Sequence, residues 1–198
     1  MFVTFEGLDG SGKTTQAKLL GTALAAEGRD VVATREPGGT ALGERVRELL
    51  LDGAAIAPWA EAALFAAARA ELVEEVIQPA LERGADVVCD RYLDSSLAYQ
   101  GIARGLGVDR VLELNRGPTG GLMPDRTFLL LVEPYEAARR SGSEPDRIER
   151  EGGEFRAGLD RAYRELAKRF SERIRTIDGT LSRTVIAETI RGQIRQLS

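Results

Sequence analysis

The sequence predicts a three-layer α/β/α fold around a parallel sheet of about five strands. Three observations carry this. Short, nearly continuous apolar runs alternate with longer segments of helical periodicity, the pattern of a sheet covered on both faces. A glycine-rich loop joins the first apolar run to the first helix. Charged and polar residues gather just after the apolar runs, where ligands bind in parallel α/β sheets. The 198 residues show no repeat, linker or internal boundary, so one domain over 1–198 is expected.

The elements follow in order. Residues 2–6, FVTFE, form a first strand. A helix from Lys13 to Glu27 has its apolar face at Ala17, Leu19, Leu20, Ala23 and Leu24, with Gly28 as its stop. DVVAT, 30–34, is a second strand; a turn at 36–40 follows, with Thr40 capping a helix through Leu51. An alanine-rich helix spans 58–83, in which Pro79 is expected to cause a kink or local break. A strand at 86–89 ends in Asp90-Arg91-Tyr92, and helices fit 95–103 and 109–115. TFLLLV, 127–132, is a further strand. A polar stretch at 139–153 is followed by a helix over 154–173, a strand at 174–177 and a last helix over 181–196.

Composition narrows the function classes. Hydrophobic and charged fractions of 43% and 29% are those of a globular protein. A net charge of −4 argues against a nucleic-acid polymer as partner. No apolar run approaches the ~20 residues that span a membrane, and the N-terminus lacks a leader's basic and apolar regions, so a cytoplasmic protein is expected. The single cysteine, Cys89, excludes an internal disulfide and reads as packing. The absence of histidine excludes histidine bases and most zinc chemistry. Only Lys13, Lys18 and Lys168 are lysines among 27 basic residues. The arginines suit bidentate phosphate binding, although a GC-rich or thermophilic source gives the same bias.

The loop reads Gly-x-x-x-x-Gly-Lys-Thr from Gly7 to Thr14. This is a P-loop NTPase-like signature in its proper context, strand before and helix after. Gly7, Gly10 and Gly12 let the backbone N–H groups of the 7–15 segment, which includes Leu8, Asp9, Ser11 and Thr15, turn toward phosphate. Lys13 can reach the β- and γ-phosphates, and Thr14 can place its hydroxyl on Mg²⁺. Asp90, delivered by an apolar strand, suits the same metal; helix capping or arginine pairing is its alternative. ATP with Mg²⁺ is therefore the expected donor.

Beyond the loop, the residues suit a second, small anionic substrate. Phe65 and Arg69 share one helix face, as a ring and a guanidinium able to stack on and bond a base; core plus surface is the plainer alternative. Arg91 places a cation beside Asp90. Ser95, Ser96, Tyr99 and Gln100 offer polar groups to a base edge, and Glu36 and Arg47 flank the turn after the second strand. A GTP switch would carry Asn-Lys-x-Asp, but the only asparagine, Asn115, precedes Arg-Gly-Pro. A remodelling ATPase usually has a lid domain and more chain.

GLDGSGKTT (7–15), TREPGGT (34–40), LFAAARA (64–70), DRYLDSSLAYQG (90–101), PDRTFLLLVEP (124–134) and DRIE (146–149) resemble the thymidylate kinase family, in its order and over most of the chain. Nucleoside monophosphate kinase architecture and transfer of phosphate from MgATP to dTMP are what the resemblance implies. In it Phe65 stacks on thymine, Arg69 bonds the base edge, and Arg91 holds the dTMP phosphate with Arg47. Asp9 and Glu36 lie near the sugar or acceptor phosphate. Ser95, Ser96, Tyr99 and Gln100 close the nucleoside pocket, with Tyr99 where it could exclude a ribose 2′-hydroxyl. Some members carry an arginine in the phosphate loop, and others supply arginines from a mobile lid. This loop has none between Gly7 and Gly12. The lid arrangement of bacterial members, with Arg139, Arg140 and Arg147 as its arginines and Gly142, Gly152 and Gly153 allowing movement, is therefore expected. The resemblance further implies a homodimer, for which the 58–83 helix could supply the interface. Glu71-Leu72 departs from the family pattern outside the Phe65/Arg69 face, and 155–167 matches it loosely as a structural helix. Another nucleoside or nucleoside monophosphate kinase, or a non-catalytic nucleotide-binding regulator, is the alternative.

Overall fold

The computed structural model describes residues 1–52, 54–141 and 146–197, excluding the side chain of Glu149. Five parallel strands, β1 (Phe2–Glu6), β2 (Val31–Arg35), β3 (Asp86–Asp90), β4 (Arg126–Leu131) and β5 (Ile174–Asp178), lie in the order β2-β3-β1-β4-β5. Central β1 pairs Phe5 with Asp90 on one side and with Phe128 on the other. Because β2 and β3 lie on one side of β1 and β4 and β5 on the other, its carboxyl end is the point where connections diverge and a crevice opens.

Alternation along the strands assigns the two faces. Phe2, Val87, Cys89 and Leu129 pack into one core layer with Leu72, Leu97, Tyr163 and Leu166. Val3, Phe5, Val88, Phe128 and Leu130 pack into the other with Leu20, Leu24, Ile186 and Ile190. The first layer is covered by α3 (Pro58–Leu72), α6 (Val108–Arg116) and α8 (Gly152–Arg169), the second by α1 (Lys13–Ala26) and α9 (Arg183–Ile194). Helix α2 (Ala41–Asp52) starts where Thr40 Oγ1 accepts from Gly43 N at 3.0 Å, the cap expected from the sequence. Cys89 is buried in the core, as expected. Among the described residues, no helix is long and apolar enough to cross a membrane.

Three elements differ from the sequence reading. The 58–82 segment stays helical past Pro79 through a π-helical turn at Val73–Ile77, and α4 (Gln78–Glu82) restarts with the proline in its first turn. The π-helical turn shifts the hydrogen-bond register just ahead of the proline, so the segment continues as helix across it. After α5 (Leu93–Ser96) a second π-helical turn covers Leu97–Ala103. The third difference is α7 (Pro134–Ser141), which takes in Arg139 and Arg140. Pro134 begins it, and Glu136 pairs with Arg139 and Arg140 one turn on, at 2.8 and 2.7 Å. The polar stretch thus begins as helix, not loop. Gly142 lies outside the described residues; Gly152 opens α8 with φ +91°, and Gly153 lies within it.

Candidate active site

The glycine loop leaves the carboxyl end of β1 and enters α1. Gly7 (φ +136°) lies so close to β4 that a Cβ would stand 2.4 Å from Leu130 O. Gly10 (φ +83°) lies under α7, where a Cβ would stand 2.0 Å from Ala137 O. No arginine can replace Gly10 without displacing that helix, so the lack of a side chain at this position has a packing cause. Lys13 is buried; its Nζ donates to Leu8 O at 2.8 Å and lies 3.5 Å from Asp9 Oδ1. Burial and the nearby Arg91 cation pull the Lys13 ammonium below its ordinary value, against the pull of Asp9, Asp90 and Glu6.

Thr14 Oγ1 donates to Asp90 Oδ2 at 2.5 Å, joining the two residues expected to serve a metal. Asp90 Oδ1 is buried without a hydrogen-bond partner among the described residues. A hydroxyl and a carboxylate with an unused oxygen form a hard-oxygen donor set, which fits Mg²⁺. No cluster of three or more acidic or cysteine ligands occurs among the described residues. An ion here would complete its shell with substrate phosphates and water, as Mg²⁺ commonly does.

Two cavities adjoin. One lies over the loop and is lined by Gly10, Gly12, Lys13, Thr14, Thr15 and Asp90, with Arg35 and Arg140. The other is walled by Phe65, Arg69, Ser96, Tyr99 and Gln100, with Leu51 and Ile148 also lining it. Asp9, Glu36, Arg47 and Arg91 line both. Residues drawn from six separate stretches of sequence thus meet at one crevice.

Arg91 stands at the junction. Its backbone is left-handed (φ +69°), an uncommon state for a side-chain-bearing residue and one that marks functional turns. Its guanidinium reaches Asp9 Oδ1 at 2.6 Å, Tyr163 Oη at 3.0 Å and Ser95 Oγ at 3.1 Å, and stacks over the Tyr99 ring. Burial alone would raise the Asp9 carboxyl, but the Arg91 and Lys13 cations outweigh it and hold the group well below the usual carboxylate range.

Beneath Arg91 lies Glu6, fully buried, which accepts from Tyr92 N (2.9 Å), Ser95 N (3.1 Å), Ser95 Oγ (2.6 Å) and Tyr163 Oη (3.1 Å). Burial raises its carboxyl against the pull of Arg91. Glu6 and Tyr163 were not among the sequence candidates. A glutamate ending a buried strand before the loop was a usable signal for the first. Nothing local marks Tyr163, so α8 is more than the structural helix expected.

Arg69 is 1% exposed. Its Nε donates to Glu36 Oε2 at 2.8 Å, Nη1 to Asn115 Oδ1 at 2.5 Å and Nη2 to Ser96 Oγ at 2.8 Å. Arg69 is therefore a buried tie among three elements as well as part of the cavity wall. Burial pushes the Glu36 carboxyl from 4.5 up to about 7, with Arg69 opposing and Glu6 adding to the rise. A carboxyl whose folded value is raised binds protons more tightly when folded. Its contribution to stability is therefore complete below about pH 4.5 and lost as pH rises through about 7. Glu36→Gln is expected to remove a downward slope of at most ~1.4 kcal/mol per pH unit across that window. Denaturant unfolding of both proteins at several pH values measures it; parallel curves would refute the assignment.

The three arginines of the expected lid do not converge. Arg139 is exposed and paired with Glu136. Arg140 also pairs with Glu136, donates to Gly179 O at 2.9 Å and lines the cavity over the loop. Arg147 points elsewhere: it donates to Glu61 Oε2 at 2.6 Å and Leu50 O at 2.7 Å, on the α2–α3 side. A buried carboxylate outcompetes solvent for this guanidinium. Arg47 donates to Pro37 O at 3.1 Å and stays within both cavities.

Comparison with known proteins agrees with this geometry. The family model described as thymidylate kinase matches residues 5–190. A thymidylate kinase of Bifidobacterium longum (strain DJO10A) is 48% identical over 203 aligned residues, covering 100% of this chain and 98% of the relative. One from Caldanaerobacter subterraneus subsp. tengcongensis is 51% identical, covering 90% of this chain and 86% of the relative. The crystal structure of thymidylate kinase from Ehrlichia chaffeensis superposes with a TM-score of 0.81 at 32% identity, covering 98% of each chain.

Proposed function

The chain belongs to the thymidylate kinase family, and from that premise we propose how its own residues transfer the γ-phosphoryl group of ATP to dTMP, giving dTDP and ADP. The observation that carries the reading is the junction, where Asp9, Glu36, Arg47 and Arg91 line both the cavity over the phosphate loop and the cavity beside it. Donor and acceptor phosphates held in those cavities would meet there.

The 7–15 loop holds the donor phosphates through its N–H groups, and Lys13 lies against the β- and γ-phosphates. Thr14 and Asp90 would hold Mg²⁺, which would neutralise phosphate charge. Phe65 stacks on the thymine, Arg69, Ser96 and Gln100 address its edge, and Tyr99 packs against the sugar. Arg91 and Arg47 hold the acceptor phosphate, whose oxygen attacks the γ-phosphorus as ADP leaves. No strong base is needed, because the acceptor is already ionised. Asp9, held ionised, orients Arg91 through the 2.6 Å pair. We read residues 1–198 as one kinase domain with 139–153 as its lid, acting in the cytoplasm. The exposed Leu42, Leu49 and Trp59 on α2 and α3 support a homodimer through those helices.

A coupled assay with MgATP and dTMP, dUMP, dCMP or dGMP tests the function. ADP is expected to form with dTMP as the preferred acceptor. ADP formation without any acceptor, or a faster reaction with another base, would overturn the reading.

Of the lid arginines, Arg140 is the one we place near the transferring phosphate, supported by its lining of the loop cavity. Arg140→Ala is expected to slow the single-turnover chemical step by roughly 10²-fold, the scale for one lost charge-stabilising donor. Arg147→Ala should change it far less; the reverse order would exchange their roles.

A further inference from the structure

Glu61 is 0% exposed and lies in the first turn of α3, outside the phosphate chemistry. Its Oε1 accepts from Gln100 Nε2 at 2.8 Å and Arg104 Nε at 3.2 Å, and its Oε2 from Arg147 Nη2 at 2.6 Å. Gln100 is 1% exposed and lines the acceptor cavity, and its Oε1 has no partner among the described residues. Burial alone would raise the Glu61 carboxyl, but its bonds from Gln100, Arg147 and Arg104 outweigh that and lower it. It is therefore ionised near neutral pH and only accepts hydrogen bonds.

An amide can turn over, exchanging its donor and acceptor ends. Gln100 cannot do so at low cost, because its carbonyl oxygen would then face a buried carboxylate. We propose that Glu61 is a positioning residue that locks the Gln100 amide with its oxygen available to the acceptor base, so that the site selects a base presenting an N–H donor at that edge. Thymine and uracil carry such a donor at N3, whereas cytosine offers a lone pair there and would leave two acceptors opposed. The inference rests on the reading that this cavity takes the nucleoside of the acceptor. Arg104, which also pairs with Glu151, and Arg147 keep the carboxylate charged and fixed.

Steady-state kinetics with MgATP, comparing dTMP with dCMP, test the proposal. In Glu61→Gln the new amide can donate as well as accept, so Gln100 can turn. The ratio of kcat/KM for dTMP over dCMP is expected to fall about tenfold, with the loss for dTMP mainly in KM. Gln100→Met, which leaves the Glu61 ion pairs intact, should lose the same discrimination, and adding Glu61→Gln to it should remove little more. A folded Glu61→Gln in which both substrates lose activity in parallel would overturn the lock and leave Glu61 a purely structural group. If Glu61→Gln does not fold, discrimination retained by Gln100→Met is decisive against the proposal. Wild-type turnover of dCMP equal to that of dTMP also overturns it. Wild-type inactivity toward dTMP would instead fail the kinase reading on which it rests.

Discussion

Arg91→Ala is expected to lower kcat/KM for dTMP by roughly a thousandfold. Arg91 faces both cavities and is held on three sides, by Asp9, Ser95 and Tyr163. Phosphoryl transfer depends on positioning and charge neutralisation, and a preorganised donor removed from such a site commonly costs ~3–4 kcal/mol in the transition state. The guanidinium binds phosphate through a planar fork, so Arg91→Lys should recover only part of the loss. Removing Arg91 also takes the cation from buried Glu6, 3.9 Å away. Thermal unfolding should accompany the kinetics to separate misfolding from lost catalysis. Near-normal kcat/KM in a folded Arg91→Ala would remove Arg91 from the reaction.

The second large effect is expected on stability. Arg69→Ala should destabilise the protein by about 3–5 kcal/mol, because it leaves Glu36 buried without its cation and strips Asn115 and Ser96 of their donor. At ~2–4 °C per kcal/mol for a chain of this size, the midpoint should fall by roughly 10 °C or more. Part of the loss should return in the double variant Arg69→Met with Glu36→Gln, in which neither buried charge remains. Full stability in Arg69→Ala would mean that the arginine acts only at the ligand.

Much of this was legible in the sequence because it depends on local geometry. The spacing of Gly7, Gly12, Lys13 and Thr14 specifies a strand–loop–helix turn by itself, and the alternation of apolar runs specifies a sheet buried on both faces. Thr40 caps its helix through a contact three residues away. Asp90 was legible because a strand end faces the ligand side of such a sheet. The Glu6–Tyr163 bond was not, since it joins residues 157 apart. Nor was the direction of Arg147, whose partner Glu61 lies 86 residues earlier. An arginine in a polar stretch reads as exposed until a buried carboxylate is brought to it.

The layered α/β architecture, the phosphate loop and the family relationship are all written in short-range spacing and residue type, and so could be read from the chain alone. Long-range packing settled which arginine lines which cavity, that α7 covers Gly10, and that buried Glu6 and Glu61 hold Ser95 and Gln100 in place. Those outcomes depend on which charged groups share a dehydrated interior. There the cost of an unpaired charge dictates partners that no local pattern encodes.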